Sequence, residues 1–188
     1  METEVSKKRF TVDEYHRMGE TGIFGPEDRL ELIDGEILEM SPIGQRHAGR
    51  VARANSLFVR AFAERGVVNP QNPLQLSDWT EPQPDIVILK PRADFYEHLR
   101  PTPGDVLLVM EVSDTTLRYD LKIKLAYFAV AAIPEVWIQD VNEDLLHVFR
   151  APQGSKYSVS MRLNRGSAVS PLAFPEVQFS MDDLFGQQ

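Results

Sequence analysis

The residues best suited to chemistry are two carboxylates that stand beside apolar runs. Glu111 interrupts the run 106–112, whose remaining six residues are all aliphatic or methionine. Asp85 directly precedes the aliphatic run 86–89. A carboxylate buried in such a strand costs several kcal/mol unless a cation or hydrogen-bond donors compensate it. We therefore predict that Asp85 and Glu111 lie close together and share a cation.

Two carboxylates at the ends of strands are typical of a site for a hard divalent cation. Mg²⁺ prefers oxygen ligands and keeps several waters, so that one or two carboxylates and a substrate phosphate suffice. Such an ion activates water and neutralises a scissile phosphate, and a nearby lysine, for which Lys124 is the candidate, stabilises the transition state. The alternatives are that Asp85 simply starts a strand, and that Lys124 snorkels or pairs with Asp120 four residues earlier.

Several other chemistries are disfavoured by what the sequence contains. The chain has no cysteine, and its four histidines show no metal-ligand spacing, so that a zinc site is not predicted. Neither a glycine-rich phosphate loop nor a Gly-x-Ser-x-Gly motif occurs, which disfavours kinase, NTPase and esterase functions. His47 stands alone, and a histidine in such a position is more often a core residue than a catalytic one.

Composition limits the substrate and the compartment. The chain has 188 residues, 43% of them hydrophobic, and a formal net charge of −8, which argues against a protein that coats nucleic acid through general electrostatics. Arg46, Arg50 and Arg53 share one face of a predicted helix and could form a local basic patch that contacts nucleic acid. The favoured alternative is that this face is simply charged and solvated. No secretory signal or membrane span is predicted, so we expect a cytoplasmic location.

The elements that must position these residues follow from periodicity and turn signals. Asp34-Gly35 between alternating residues predicts a hairpin, and Thr11 with Glu14 predicts a capping box at a short helix. A long helix is predicted over 45–64, with His47 on the side of its apolar face. A second helix is predicted from an N-cap at Asp114 or Thr115 to Ala132, followed by strands at 135–139, 145–149 and 157–163. The predicted core stripe of that helix consists of Leu117, Leu121, Leu125, Phe128 and Ala132.

A family resemblance is carried by four strings in order. They are Pro84-Asp85, Glu111-Val-Ser-Asp-Thr-Thr, Tyr119-Asp120-x-Lys-x-Lys124 and Ile133-Pro-Glu-Val-Trp-Ile138. With the hairpin sequence from about residue 30, the chain resembles the Uma-type restriction endonuclease family, formerly a domain of unknown function, in the PD-(D/E)XK nuclease superfamily. The resemblance implies an α/β fold whose restriction-endonuclease-like core has a central mixed β-sheet flanked by helices. Here an N-terminal hairpin and extra C-terminal antiparallel strands would complete a single domain over 1–188.

The resemblance also implies roles for individual residues. Asp85 and Glu111 would be the ligands of Mg²⁺, or of Mn²⁺, and both would be catalytic. The superfamily lysine usually stands two residues after the glutamate, where this chain has Ser113, and Lys124 on the next helix would replace it. Weaker, auxiliary candidates are Glu31, His47 and Asp120. Relatives commonly have glycine where Ala132 stands and tyrosine where Phe128 stands.

The function expected from these residues is a Mg²⁺-dependent endonuclease that hydrolyses phosphodiester bonds of DNA, with Arg46, Arg50 or Arg53 contacting the DNA backbone. One alternative is a non-catalytic nuclease-fold protein that binds nucleic acid or protein, which the net charge and Ser113 favour somewhat. Another is a hydrolase of small phosphate compounds. A homodimer is also expected by analogy with the superfamily, and an exposed Ile123 is its weak marker.

Overall fold

The computed structural model describes residues 6–62 and 64–186. Its helices are α1 (Val12–Glu20), α2 (Gln45–Phe62), α3 (Leu117–Tyr119), α4 (Leu125–Val130) and α5 (Met181–Phe185), with a 3₁₀ turn at Pro103–Asp105 and a π-helical turn at Asp120–Lys124. Its strands are β1 (Leu30–Ile33), β2 (Glu36–Glu39), β3 (Val67–Pro70), β4 (Ile86–Leu89), β5 (Val106–Ser113), β6 (Glu135–Asp140), β7 (Leu145–Gln153), β8 (Lys156–Leu163), β9 (Ala168–Val169) and β10 (Phe179–Ser180).

The central sheet has six strands in the order β3-β4-β5-β6-β7-β8. Every neighbouring pair is antiparallel except β5 and β6, which are parallel and are joined through the helical segments α3 and α4. β7 and β8 extend the sheet as the expected C-terminal antiparallel strands, and β1 pairs with β2 in the expected hairpin. The predicted mixed sheet flanked by helices is therefore confirmed.

The two apolar runs form central strands because both faces of the sheet are covered. One face packs against α2 and α5 through a cluster that includes Phe58 and Trp137, and the other packs against the α4 region through Phe128 and Ile133. Every residue of β4 is buried. Alternation along β5 directs Met110 toward the first face, so that its neighbours in sequence point toward the second.

The N-terminal half confirms the local predictions. Thr11 caps α1, and Glu14 completes a capping box with it. Asp34 and Gly35 adopt φ values of 52° and 77°, the left-handed conformations that a tight two-residue hairpin turn requires. α2 covers most of the predicted long helix and buries Val51, Ala54, Phe58 and Phe62.

The second helix differs from its prediction at both ends. Helical structure begins at Leu117, and its N-cap is Thr116, with no side-chain capping bond, rather than Asp114 or Thr115. Ala132 was predicted in the core stripe, but it is exposed and has φ 58°, two residues beyond the last residue of α4. The Ile133 N–H donates to the Phe128 carbonyl (3.0 Å). This hydrogen bond spans six residues and is typical of a helix that ends at a left-handed residue.

Glycine at position 132 is therefore expected to stabilise the protein. Ala132→Gly relieves the clash of a Cβ in the left-handed region, while the greater chain entropy of glycine when unfolded offsets part of the gain. We expect a net increase of about 0.5–1 kcal/mol in the free energy of unfolding, measured by urea denaturation. Ala126→Gly, inside α4, is the control and should lower it by about 1 kcal/mol.

Among the helices of the described residues, none has both the length and the apolar character needed to span a membrane.

Candidate active site

Glu111 lies in β5, and the register of the sheet places it next to Asp85. Ile86 of β4 pairs with Met110 of β5, so that the residues directly before and after this pair are neighbours. The Asp85 N–H donates to Glu111 Oε2 (3.2 Å), and the Val112 N–H donates to Asp85 Oδ2 (2.8 Å). The structure thus brings together the two carboxylates that the sequence singled out.

Lys124 reaches this pair from the helical segment between β5 and β6. Its Nζ lies 2.6 Å from Glu111 Oε1, a close ion pair whose angle is not that of a hydrogen bond. The same ammonium donates to Glu31 Oε1 (3.0 Å), so that it bridges two buried carboxylates. Lys124 does not snorkel to the surface, and it pairs with these two acids rather than with Asp120.

A π-helical turn sets the direction of the Lys124 side chain. The Leu125 N–H donates to the Asp120 carbonyl, a bond across five residues instead of the four of an α-helix. Both end residues of this turn, Asp120 and Lys124, are buried, whereas the intervening Lys122 and Ile123 are exposed. π turns inside α-helices are frequent at functional sites. This one directs the Lys124 side chain toward the central sheet, where it meets Glu111 of β5.

Glu31 belongs to β1 of the hairpin and is buried. Its Oε1 accepts hydrogen bonds from Lys124 and from the Gln83 N–H (2.9 Å). The strand is held against the site because Leu32 and Glu81 exchange backbone hydrogen bonds. We name Glu31, Asp85, Glu111 and Lys124 the carboxylate–lysine cluster.

His47 and Asp120 flank this cluster. His47, in the first turn of α2, places Nε2 2.9 Å from Asp85 Oδ1, so that this nitrogen carries the proton shared with the carboxylate. Hydrogen bonding to Asp85 raises the pKa of His47, and burial opposes this effect. Asp120 Oδ2 accepts from Ser113 Oγ and Thr116 Oγ1, both at 2.7 Å.

All six of these residues line one cavity of about 420 Å³. Its remaining walls come from the segment between β2 and α2, from the residues after β5, and from residues that precede β1 and β4. These walls include Arg29, Ser41, Pro42, Gly44, Gln83, Asp114 and Thr115. The cavity therefore connects the carboxylate–lysine cluster with the surface near the start of α2.

Negative charge exceeds positive charge inside this cavity. Burial raises the pKa of Glu111 well above its ordinary value, and Asp85, Asp120 and Glu31 add to the rise, while Lys124 opposes it. Burial also raises the pKa of Asp120. For Lys124, burial acts to lower the pKa, but the surrounding carboxylates outweigh it and keep the ammonium charged. Lys124 and Arg29 thus share this cavity with five carboxyl groups, those of Glu31, Asp85, Glu111, Asp114 and Asp120, and an additional cation would stabilise them.

The donor set fits a hard divalent cation with a water-rich shell. Asp85 and Glu111 supply carboxylate oxygens on adjacent positions of neighbouring strands, and neither cysteine nor a second histidine contributes softer donors. In the described part of the chain, no three or more His, Asp or Glu side chains form a preformed metal cage. Water and substrate oxygens would complete the coordination, as Mg²⁺ commonly requires.

The three arginines predicted to contact nucleic acid lie in different surroundings. Arg46 has a side chain that is 60% exposed, and it contacts the Asn142 side chain and the Val141 carbonyl. Arg50 is half-buried and binds Asp144 (2.6 Å) and the Phe185 carbonyl, which ties α2 to α5. Arg53 is exposed on α2 and lies against Gly186. DNA contact stays a prediction for these three, and only Arg46 stands beside a cavity residue, Asp114.

Some residues of the site were not found by sequence reasoning. Ser113 and Thr116 hold Asp120, and Gln83 holds Glu31 through its backbone. Arg29 lines the cavity and donates to the Ser41 carbonyl (2.5 Å). Ser113 had a signal, because it stands where the superfamily lysine is usual; nothing in the local sequence indicates the other three.

Comparisons with known proteins bear on the family and the fold of this chain. A family model, Uma2, described as "Putative restriction endonuclease", matches residues 12–182. A crystal structure of a "putative nuclease belonging to DUF820 from Anabaena variabilis ATCC 29413" is similar at 17% identity and TM-score 0.70, over 94% of this chain and 97% of that one. The comparison with curated proteins gives no match. At this identity the structural likeness shows the fold, and the family match covers most of the chain, so this chain belongs to the Uma2 family, whose description and fold support a nuclease.

Proposed function

We propose that the protein is a Mg²⁺-dependent endonuclease that hydrolyses phosphodiester bonds of DNA. The observation that carries this proposal is the carboxylate–lysine cluster, in which Asp85 adjoins Glu111 and the Lys124 ammonium lies 2.6 Å from Glu111 Oε1. Two adjacent carboxylates and one lysine beside an open cavity are the groups that metal-assisted hydrolysis of a phosphodiester needs.

Each residue would contribute a distinct part of the reaction. Asp85 and Glu111 would hold the cation, which when bound polarises the phosphate and acidifies water. Lys124 would orient the attacking water and neutralise charge on the phosphate oxygens. The attacking water would lose a proton to solvent as its oxygen bonds to phosphorus and the bond to the leaving oxygen breaks, and the leaving oxygen would take up a proton from solvent. His47 would fix the orientation of Asp85 through the bond at 2.9 Å.

The substrate would approach over the side of the cavity where cationic side chains stand. Arg29 lines the cavity, and the exposed Arg46 lies beside it at the start of α2. These two guanidinium groups would offset part of the net charge of −8 for a phosphate backbone that approaches the cavity. The family description names restriction endonucleases, which favours DNA as the substrate. A homodimer and a cytoplasmic location stay predictions.

The decisive experiment is cleavage of supercoiled plasmid DNA by purified protein with Mg²⁺, with Mn²⁺, and with EDTA. We expect nicked and linear products with either ion and none with EDTA. A matched RNA substrate tests the choice of nucleic acid, and Glu111→Gln, which keeps the shape of the side chain, tests for contaminating nuclease. Cleavage that persists in EDTA or in Glu111→Gln would contradict the proposal.

A second candidate is a non-catalytic protein of the same fold that binds nucleic acid or another protein. The net charge of −8 and the serine at position 113 favour it. Calorimetric titration with Mn²⁺ separates the candidates, because a binding module has no need of a specific divalent site. Binding of DNA without saturable Mn²⁺ binding or cleavage would favour this second function.

A further inference from the structure

The two edges of the central sheet differ in how well they are protected against pairing with another chain. Among the described residues, the sheet ends at β3 on one side and at β8 on the other. β3 has four residues and ends at Pro70, and a short edge strand with a proline resists further pairing. β8 has eight residues, contains neither proline nor glycine, and carries charge only near its ends, at Lys156 and Arg162. β8 is therefore the edge that is open to another strand.

The register of the β7–β8 hairpin determines which backbone groups of β8 point outward. A two-residue turn joins the strands, so that Gln153 and Lys156 form a hydrogen-bonded pair. Pro152, which has no N–H, lies opposite Tyr157, as expected for the next, non-hydrogen-bonded pair. Because the two kinds of pair alternate, every second residue from position 157 directs its N–H and C=O away from β7. These residues are Tyr157, Val159, Met161 and Leu163.

The outward backbone groups of these four residues have no backbone partner in the described part of the chain. Their side chains form an apolar stripe that is incompletely covered. Val159 is 42% exposed, while Met161 and Leu163 are partly buried against the cluster beneath α2. A further strand beside β8 would pair the free N–H and C=O groups and cover the exposed part of this stripe at the same time.

We propose that two copies of this chain pair through β8, antiparallel, about a twofold axis that passes through Ser160 perpendicular to the sheet. Such an axis keeps the two faces of the sheet distinct, so that apolar residues meet apolar residues. Tyr157 lies opposite the partner's Leu163, and Val159 lies opposite the partner's Met161. These pairs are the ones whose backbone groups point outward, so they form the hydrogen bonds between the two copies. The two central sheets become one continuous sheet.

Charge and overlap select this register. With the axis one residue earlier, Lys156 would lie opposite the partner's Arg162, and like charges directly opposite each other are destabilising. With the axis one residue later, the overlapping part of the two strands shortens from residues 157–163 to residues 159–163. In the proposed register, Arg162 lies opposite the partner's Ser158. A second copy is the occupant because the stripe is complementary to itself, which is the requirement of a twofold interface.

Oligomeric state and a matched pair of lysine variants test the surface. Val159 and the partner's Val159 are diagonal neighbours across the axis, so that Val159→Lys places two ammonium groups close together. Ile123→Lys is the control, since Ile123 is equally exposed (41%) and lies on the π-helical turn. Sedimentation of the full chain over about 1–100 μM measures the dissociation constant of the dimer. The melting temperature at low concentration reports whether each variant is folded.

We expect the wild type and Ile123→Lys to pass from monomer to dimer over this range. Val159→Lys should raise the dissociation constant at least about tenfold while the melting temperature at low concentration stays the same. A wild type that is monomeric at every concentration would overturn the inference. Dimerisation of Val159→Lys equal to that of the wild type, or loss of the dimer in Ile123→Lys alone, would also overturn it.

Disulfide formation tests the register independently of the lysine variants, and the chain has no cysteine that could interfere. Ser160→Cys places two thiols opposite each other in a non-hydrogen-bonded pair, whose Cα atoms lie about 4.5 Å apart, within the range of a disulfide. In Ser158→Cys, the control, the two Cα atoms are four residues apart along the strand, roughly 13 Å. Under a mild oxidant, Ser160→Cys should form a covalent dimer and Ser158→Cys should not. Equal cross-linking of the two variants, or none in Ser160→Cys, would contradict the proposed register.

This inference does not rest on the proposed function, because no residue of β8 lines the cavity. Neither sedimentation nor cross-linking depends on cleavage. A chain that dimerises through β8 but cleaves no DNA would contradict the nuclease proposal alone. A chain that cleaves DNA and sediments as a monomer would contradict the β8 interface alone.

Discussion

Lys124→Met is expected to lower the free energy of unfolding by about 3–5 kcal/mol at neutral pH and the cleavage rate by about 100-fold or more. The ammonium bridges Glu31 and Glu111, which are both buried, and methionine keeps the chain length while removing the charge. Removal of one partner leaves two carboxylates in the protein interior without their cation. Urea denaturation and plasmid cleavage measure the two effects.

The stability loss in Lys124→Met should grow as the pH rises. Burial already holds the pKa of Glu111 well above its ordinary value, and Lys124 is the group that lowers it, so the variant raises it further. Between the raised pKa that Glu111 has in the wild type and the higher pKa in the variant, the folded variant keeps a proton that the folded wild type and the unfolded chain release. The stability deficit of the variant relative to the wild type therefore grows across this range by up to about 1.4 kcal/mol per pH unit.

Lys122→Met is the matched control for this prediction, because Lys122 lies in the same π-helical turn and is exposed. It should change stability by no more than about 0.5 kcal/mol at any pH. Equal stability of Lys124→Met and Lys122→Met would show that the ion pairs contribute nothing to folding. A deficit that shrank with rising pH would contradict the assignment to uncompensated carboxylates.

Asp85→Asn is expected to reduce cleavage by about 10³-fold and to abolish measurable Mn²⁺ binding, because a neutral amide is a poor ligand for a hard cation. The fold should persist, since the amide oxygen can still accept the Val112 N–H bond made by Oδ2. Plasmid cleavage, Mn²⁺ calorimetry and thermal unfolding measure the three outcomes.

Asp114→Asn serves as the control, since Asp114 also lines the cavity but stands outside the carboxylate–lysine cluster. It should bind Mn²⁺ and cleave DNA within a few-fold of the wild type. If Asp85→Asn cleaved as well as Asp114→Asn, the carboxylate at position 85 could not be a metal ligand. If both variants lost activity and unfolded at lower temperature, the loss would reflect damage to the fold.

Local physics made several parts of this protein predictable from sequence. The Asp34-Gly35 turn, the capping box at Thr11 and the aliphatic strands each depend on interactions between residues close in the chain, and each is confirmed. Glu111 was identified because a charge inside an aliphatic run must be compensated wherever the strand lies in the fold. Asp85 followed from the same argument, and strand register places it beside Glu111.

Other features needed the tertiary structure, because they join residues far apart in sequence. Glu31 and Lys124 are separated by 93 residues, and no local pattern indicates that one ammonium bridges Glu31 and Glu111. The left-handed conformation of Ala132 was missed for another reason, since helical periodicity continues past the point where the chain turns. The resemblance had only noted that relatives commonly have glycine there.

The sequence by itself determined which side chains are chemically exceptional, namely a carboxylate in a buried strand, a second one nearby and a lysine on the following helix. Tertiary structure alone decided that the Lys124 ammonium bridges Glu31 and Glu111, that Arg50 binds Asp144, and that a π-helical turn aims the lysine inward. The physical reason is that charge and apolarity are properties of single residues and short runs. Compensation of a buried charge depends on the atoms that long-range packing places around it.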